Sequence, residues 1–453
     1  MTDYRETDIG NAHRFLDQHG DNVVFVKGLG WHVWDGKRWE FNEEKARLMA
    51  QQTAEDIFDE WKGLGEDDKR KRLSWAYKSG TSPRITAMLT EAAPRIGKYP
   101  SDLDSDPWLL NLTSGTVDLR TSDLRRHSRD DFITMLAPVK FDPSADAPKW
   151  RKFLDRICPD AGVHDFLQRW LGYSLTGLTD EQKFCVFYGT GANGKTTLNE
   201  AVRAVMGDYA QTIDCEILLH RERNTGASPE LARLAGSRLL FASEPDVGRR
   251  FSESLIKSLT GGDKITARHL YQAPIEFTPK FKLMVAGNHR PAVKGNDEGI
   301  WRRVLLVPFT EMIPPSERDP ALLAKLKKEA PGILLWLIEG CRNWQKLGGL
   351  NEPEAVKSAT ESYREENDIL GPFLDERTEK DPQASVKVSD LYRAFQDWCE
   401  ENGLRPANGT AFGRMLTERG FEKKKTGVVY RKGLTLKEEY SQTVQHDLSL
   451  VNN

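Results

Sequence analysis

The residues best equipped for chemistry lie in one short stretch. Gly189, Thr190, Gly191, Ala192, Asn193, Gly194, Lys195 and Thr196 spell GxxxxGKT, followed by Thr197 and a helical run to Val205. Glycines at these positions let backbone N–H groups turn inward around phosphate oxygens. The N-terminus of the following helix adds its positive dipole end. Lys195 is the expected contact to the β- and γ-phosphates and Thr196 the expected Mg²⁺ ligand, so ATP and Mg²⁺ are the expected ligands. Hydrolysis also needs a group that orients water. Arg238 to Glu244 is an apolar run ending in a carboxylate, and Glu244 is the candidate. Lys282 to Asn288 is a second such run, ending in an amide able to sense a γ-phosphate or hold the lytic water. Arg302 and Arg303 precede a third, and guanidinium is the group best suited to charge on a transferring phosphoryl. Taken singly, each has a plainer reading: a glycine turn, a surface carboxylate, a Gly-Asn turn, a solvated arginine pair. Their order along the chain is worth more than any one of them.

These side chains need strands and helices to hold them. Phe184–Tyr188, Leu239–Ala242, Lys282–Ala286 and Val304–Val307 are short apolar runs separated by helix-length segments, which predicts a buried α/β sheet. Between the second and third of these, residues 261–281 read as a hairpin turning at Tyr271–Pro274. Arg268, His269, Tyr271 and Gln272 near its tip are candidate contacts to nucleic acid: cation on phosphate, aromatic against base or sugar. Upstream, Trp150–Gly177 has apolar residues at helical steps. Residues 107–140 read as hairpins built from WLLNL, TVDL and FITML. Downstream, 320–370 is expected to be helical. Ser389–Trp398 and Thr410–Arg419 read as two helices followed by a hairpin from Phe421, an order that resembles a winged helix. Arg419–Lys432 holds six basic residues against one acid. Lys423, Lys424 and Lys425 in it are candidate phosphate contacts.

Composition narrows the classes. With 65 Lys plus Arg against 68 Asp plus Glu in 453 residues, the net charge is −3, so affinity for phosphate must come from local patches. Five cysteines without a CxxC pair argue against a disulfide framework or a thiolate zinc site and fit a reducing cytoplasm. No apolar run approaches membrane-spanning length. Asp102, Asp104 and Asp106 fit neither a calcium loop nor a strand-end acid pair, so no priming site is expected. The nine histidines lack metal-ligand spacing, and Trp31, Trp34 and Trp39 read as core of a small domain with base stacking as the lesser option.

Taken in order, GTGANGKT, RLLFASE, SLTGGDKITARHLYQAPIEF, KLMVAGNHRP and DEGIWRRVLLVPF resemble superfamily 3 helicases, specifically the poxvirus-type and phage or plasmid primase-helicase group. The likeness covers about 107–440. It implies Lys195 and Thr196 as the Walker A pair, Glu244 as the Walker B acid, Asn288 as first sensor, and Arg302 as the finger entering a neighbouring subunit's site, with Arg303 second. Ser243 stands where many such enzymes have a first Walker B acid, which leaves metal support to Thr196, water and Asp246. The expected fold is α/β: an N-terminal α+β region (1–145), a helical collar (146–182), an AAA+ type P-loop core (183–318), a helical extension (319–374), a winged-helix-like module (375–436) and a disordered tail (437–453). The expected function is ATP-driven translocation on single-stranded DNA, with unwinding of forks, by a hexameric ring replicating a phage, plasmid or similar element beside a primase or polymerase. A remodelling or loading ATPase and an ATP-switched origin-binding module remain the alternatives.

Overall fold

The computed structural model describes residues 4–219, 229–243, 250–268, 274–291, 293, 298–404, 406–438 and 440. At its centre is a five-stranded parallel sheet. Its strands in chain order are Phe184–Tyr188, Ala210–Ile213, Leu239–Ala242, Lys282–Gly287 and Val304–Pro308. In space they run fifth, first, fourth, third, second. All four pairings are parallel. The strands are apolar throughout because both faces are covered. Cys185, Phe187, Phe241, Met284, Leu305 and Val307 enter one core. Their neighbours Phe184, Val186, Leu240, Leu283, Val285, Val304 and Leu306 enter the other. That is the period-two alternation of a strand.

The first of these cores holds the helices Pro148–Ile157, Ala161–Tyr173 and Ala330–Leu347. The last two meet at glycines: a Cβ on Gly172 would lie 2.1 Å from the Cys341 nitrogen, and one on Gly340 2.0 Å from the Gln168 carbonyl. Collar and extension are therefore one helical body rather than two successive regions, because side-chain periodicity does not reveal which helices touch. The same core takes in Leu110, Leu112, Val117 and Val139. The region expected as 1–145 thus divides. Residues before about 104 build their own domain on a sheet of Trp39–Phe41, Gly30–Trp34, Val23–Val26 and Gly97–Lys98, with Trp31 packed among its helices. Leu109–Leu112, Gly115–Asp118 and Asp123–Arg125 form a separate three-stranded sheet. The FITML segment joins no ladder, and the residue after it, Ala137, makes a single bridge to Leu112; the expected strand place is taken by Asp123–Arg125.

Buried cations tie the lower edge of the central sheet to this body. Arg238 donates to the carbonyls of Leu175 (2.5 Å) and Leu109 (2.7 Å). Lys282 donates to Thr176 (2.5 Å) and Leu178 (3.1 Å). Burial pushes both below their ordinary pKa values. The carbonyls favour the charged forms and oppose that shift.

On the far side, helix Glu354–Glu366 covers the fifth strand. Thr360 Oγ1 accepts the edge amide of Leu306 at 2.9 Å, and Tyr363 is buried in the core beneath. The expected core boundary at 318 is therefore too short, because an edge strand needs this cover. The C-terminal module packs Phe373, Phe395, Trp398 and Phe412 between helices Leu370–Arg377, Val388–Glu401 and Gly409–Glu418, beside strands Ser385–Lys387, Lys423–Thr426 and Val428–Lys432. Thr435–Leu436 pairs with Thr378–Glu379, and Arg377 lies over the Tyr440 ring at 3.9 Å. The expected tail is thus ordered at its start, and its remainder from 441 lies outside the described residues.

Candidate nucleotide site

The first strand ends at Tyr188, and the loop Gly189–Gly194 leads into helix Lys195–Met206. Gly191 (φ +94°), Ala192 (φ +51°) and Gly194 (φ +83°) take left-handed conformations, which aim successive amides into one concavity. Gly191 is the open wall of that cradle. A Cβ there would meet nothing nearer than Asn288 Oδ1 at 3.8 Å. Gly189 is needed for close approach, since a Cβ would lie 2.2 Å from the Phe309 carbonyl. Asn193 locks the loop by donating to that carbonyl at 3.3 Å. Ile313 N donates to Ala192 O at 2.8 Å, so the segment after the fifth strand straps the loop from outside. Arg156 and Arg318 hold the strap by its Met312 and Ile313 carbonyls, at 3.1 and 3.0 Å.

Lys195 is buried at 6% exposure, with Nζ 2.8 Å from Gly189 O and 3.5 Å from Asn288 Oδ1. The lysine and the amide predicted 93 residues apart thus converge at the carboxyl ends of adjacent strands, where open α/β sheets bind ligands. Thr190, Ala192 and Thr196 are exposed at the mouth, and Thr197 is half-buried behind it. Inward amides, a buried ammonium, a hydroxyl at a helix N-terminus and an open wall fit a nucleotide phosphate with Mg²⁺.

The remaining site residues divide. Arg302 is exposed after the short helix Glu298–Trp301. Arg303 is buried within its own chain, donating to Gly299 O at 2.5 Å and to Gln182 Oε1 at 3.3 Å. It is held as a structural residue, which removes it as a second finger. Glu244 and Asp246 lie outside the described residues, as do His269, Tyr271 and Gln272. Arg268 is exposed at the end of strand Ile265–Arg268, which pairs antiparallel with Pro274–Phe277. Lys423, Lys424 and Lys425 are exposed on their strand. The basic run around them is smaller than its count: Arg419 pairs with Asp368, Arg431 is buried against the Phe421 and Gly413 carbonyls, and Lys432 lies 3.5 Å from Glu422.

Sequence reasoning missed Arg290. Its guanidinium sits 4.3 Å over the Tyr188 ring, at the end of the phosphate-loop strand, and 2.5 Å from Glu366. Tyr363 donates to the Pro291 carbonyl, and Asn367 Oδ1 accepts from Val293 N at 3.1 Å. Arg364 pairs with Glu298, just before Arg302. One helix end thus grips the turn after Asn288 and the short helix before Arg302. No local signal marks this, since the partners are about seventy residues apart.

Three family models match parts of the chain: D5 N terminal like over 12–159, a family of unknown function over 187–303, and Poxvirus D5 protein-like over 365–447. The chain is similar to D5 proteins at both ends. Among curated proteins, "Putative helicase L207/L206" of Acanthamoeba polyphaga mimivirus is 30% identical over 66% of this chain and 34% of its own length. "Putative helicase 022R" of Frog virus 3 is 32% identical over 55% and 28%. "Putative primase C962R" of African swine fever virus is 26% identical over 74% and 37%. The chain therefore spans about a third of the length of the curated relatives it matches. Among solved structures, the apo C terminal region of NrS-1 superposes with a TM-score of 0.52 at 11% identity, covering 91% of this chain and 96% of that one. That likeness concerns fold alone. Among the described residues no helix is long and apolar enough to cross a membrane, and no three His, Cys, Asp or Glu side chains gather as a metal site.

Proposed function

We propose that the chain is the motor portion of an ATP-dependent replicative DNA helicase, working as a ring on single-stranded DNA. The observation that carries this is the meeting of Lys195 and Asn288 over an open phosphate cradle, on a parallel sheet ordered fifth, first, fourth, third, second. That order supports the AAA+ reading of the core. Lys195 binds the phosphates, and the loop amides take their remaining oxygens. Mg²⁺ would be held by Thr196 and neutralises charge on the phosphates when bound. Asn288 is within reach of the same phosphate through the lysine it contacts. Glu244, two residues beyond the third strand, is the proposed base for water. Arg302, exposed just after the short helix anchored through Glu298, is the proposed finger for a neighbouring copy, which makes the site complete only in an oligomer, a hexamer by the helicase likeness. The hairpin bearing Arg268 and the three lysines of the winged-helix-like module are the proposed DNA contacts. The partner proteins are a primase or polymerase.

The test is strand displacement on a forked duplex, with ATP turnover measured beside it. Wild type is expected to unwind and to be stimulated by single strands. Lys195→Ala is expected to lose both. Mixing Arg302→Ala with Lys195→Ala protomers is expected to restore part of the turnover, since some interfaces then pair an intact loop with an intact finger. A monomer turning over at full rate, or ATP-dependent activity that never displaces a strand, would sink the helicase reading.

A further inference from the structure

Trp39 is core as expected, at 3% exposure, and Trp34 is half-buried against it, in a region the nucleotide site does not use. On one face of the N-terminal sheet, Val24, Val26, Trp39 and Leu103 form a small buried core, and Leu29, Trp34 and Phe132, themselves partly buried, pack against it. Trp39 stacks on Phe132 with centroids 5.9 Å apart and planes at 15°, and Trp34 lies 5.7 Å from Trp39. A cation sits over each of three aromatic rings in this domain. Lys27 Nζ is 5.5 Å from the Tyr99 ring, Lys98 Nζ is 4.4 Å from Phe132, and the Arg129 guanidinium is 5.9 Å from Trp34. Backbone bonds hold the row together: Lys27 N donates to Lys98 O at 2.9 Å, and Trp39 Nε1 donates to Arg129 O at 2.9 Å. Tyr99 is 60% exposed at one end.

Of the acids nearby, one is ion-paired and the others keep their charge. Asp102 accepts from Tyr99 N, Asp104 from Thr134, and Asp131 pairs with Arg125, while Asp130 is exposed beside Arg129. Lys27 and Lys98 lie above rings rather than against carboxylates, and Arg129 donates to the Asn22 amide oxygen at 2.8 Å. Three cations thus remain available to an anion, on a chain whose net charge is −3.

We propose that this row, Tyr99–Lys27–Lys98–Phe132–Trp34–Arg129, is a second binding surface for single-stranded nucleic acid, separate from the hairpin and the C-terminal lysines. The cations meet phosphates while the exposed Tyr99 ring and the accessible part of Trp34 take bases, the pairing that single-strand sites use because every base has a π-face. The proposal rests on nucleic acid being the substrate of the reading above, but its test needs no nucleotide and no unwinding.

Full-length protein is titrated with a fluorescein-labelled oligo-dT over a range of salt. The combined variant K27E/K98E/R129E is expected to bind roughly tenfold or more weakly. Its slope of log affinity against log salt should be shallower by about 2, from about 0.7 per phosphate neutralised. Tyr99→Ala, at an exposed side chain, is expected to lose about tenfold with the slope unchanged, the signature of lost stacking rather than lost charge. Ultraviolet crosslinking to bromodeoxyuridine oligonucleotides should mark Tyr99 or Trp34. Unchanged affinity and slope in the charge variant, no crosslink in this row, or tighter binding of duplex than of single strand would each overturn the proposal. A chain that displaces strands while both variants bind normally loses this surface and keeps its helicase reading. A chain that binds through the row yet never unwinds loses the helicase reading alone.

Discussion

Gly194 offers a quantitative probe of how the phosphate cradle is held. It stands at φ +83°, and a Cβ there would lie 2.6 Å from Ile157 Cγ2 and 3.1 Å from the Phe153 ring, both on helix Pro148–Ile157. At Gly191, φ +94°, a Cβ would make only an ordinary contact, with Asn288 Oδ1 at 3.8 Å. Alanine at Gly191 therefore costs only the left-handed conformation, about 1–2 kcal/mol. Alanine at Gly194 adds overpacking against a β-branched side chain with one stiff rotamer, about 1–3 kcal/mol more. If the loop binds nucleotide in this conformation, affinity falls with its population. Gly191→Ala should then weaken a fluorescent ATP analogue by about five- to thirtyfold. Gly194→Ala should weaken it by about thirtyfold to several thousandfold. Ile157→Ala removes the offending methyl. In a double-mutant cycle it should recover about 1–3 kcal/mol of the Gly194→Ala loss. Equal losses at the two glycines, or a cycle with no coupling, would refute the claim that the collar helix sets the loop.

Three further outcomes follow from contacts already described. Asn288→Ala should lower ATP turnover by about a hundredfold while changing analogue affinity little, because the amide faces the phosphate end of the lysine; rapid-quench turnover beside equilibrium binding separates the two. Arg290→Ala should lower turnover by about three- to thirtyfold through loss of the Tyr188 stack and the Glu366 pair, with only a small drop in melting temperature. A charge exchange, Arg290→Glu with Glu366→Arg, should recover only the ion-pair share. In the N-terminal domain, burial pushes the Glu60 carboxyl up, but Arg14 and Arg72 outweigh it and hold the group below its ordinary value. A depressed carboxylate contributes stability above its unfolded value of about 4.3 and loses it as pH falls through the folded one. Melting curves should show Glu60→Gln less stable than wild type at pH 7, with the gap closing below about pH 4.

What was legible in the sequence was local. The phosphate loop is written in consecutive residues, since each glycine answers a nearby backbone demand. The strands carrying Asn288 and the arginines are short apolar runs with clear ends. What was not legible depends on distant partners. Arg302 and Arg303 are neighbours of one type, and contacts such as those to Gln182 and the Gly299 carbonyl mark the buried one. The run from Arg419 to Lys432 counts as strongly basic until Asp368 and the backbone around Phe421 claim two of its arginines. FITML has the composition of a strand, but the ladder place beside Gly115–Asp118 goes to the polar Asp123–Arg125. Trp34 and Trp39 lie three residues before and two after Lys37, and nothing in that spacing shows that Phe132 and Arg129 will join them.

Helix Glu354–Glu366 has a practical corollary for anyone dissecting the chain. A fragment severed after Pro308 would leave Val304 and Leu306 bare on one side and the Leu306 amide without its threonine. The turn carrying Arg290 and Pro291 would lose its anchor in the same cut. Limited digestion should therefore keep helix Glu354–Glu366 on the same fragment as the fifth strand, rather than release the two apart.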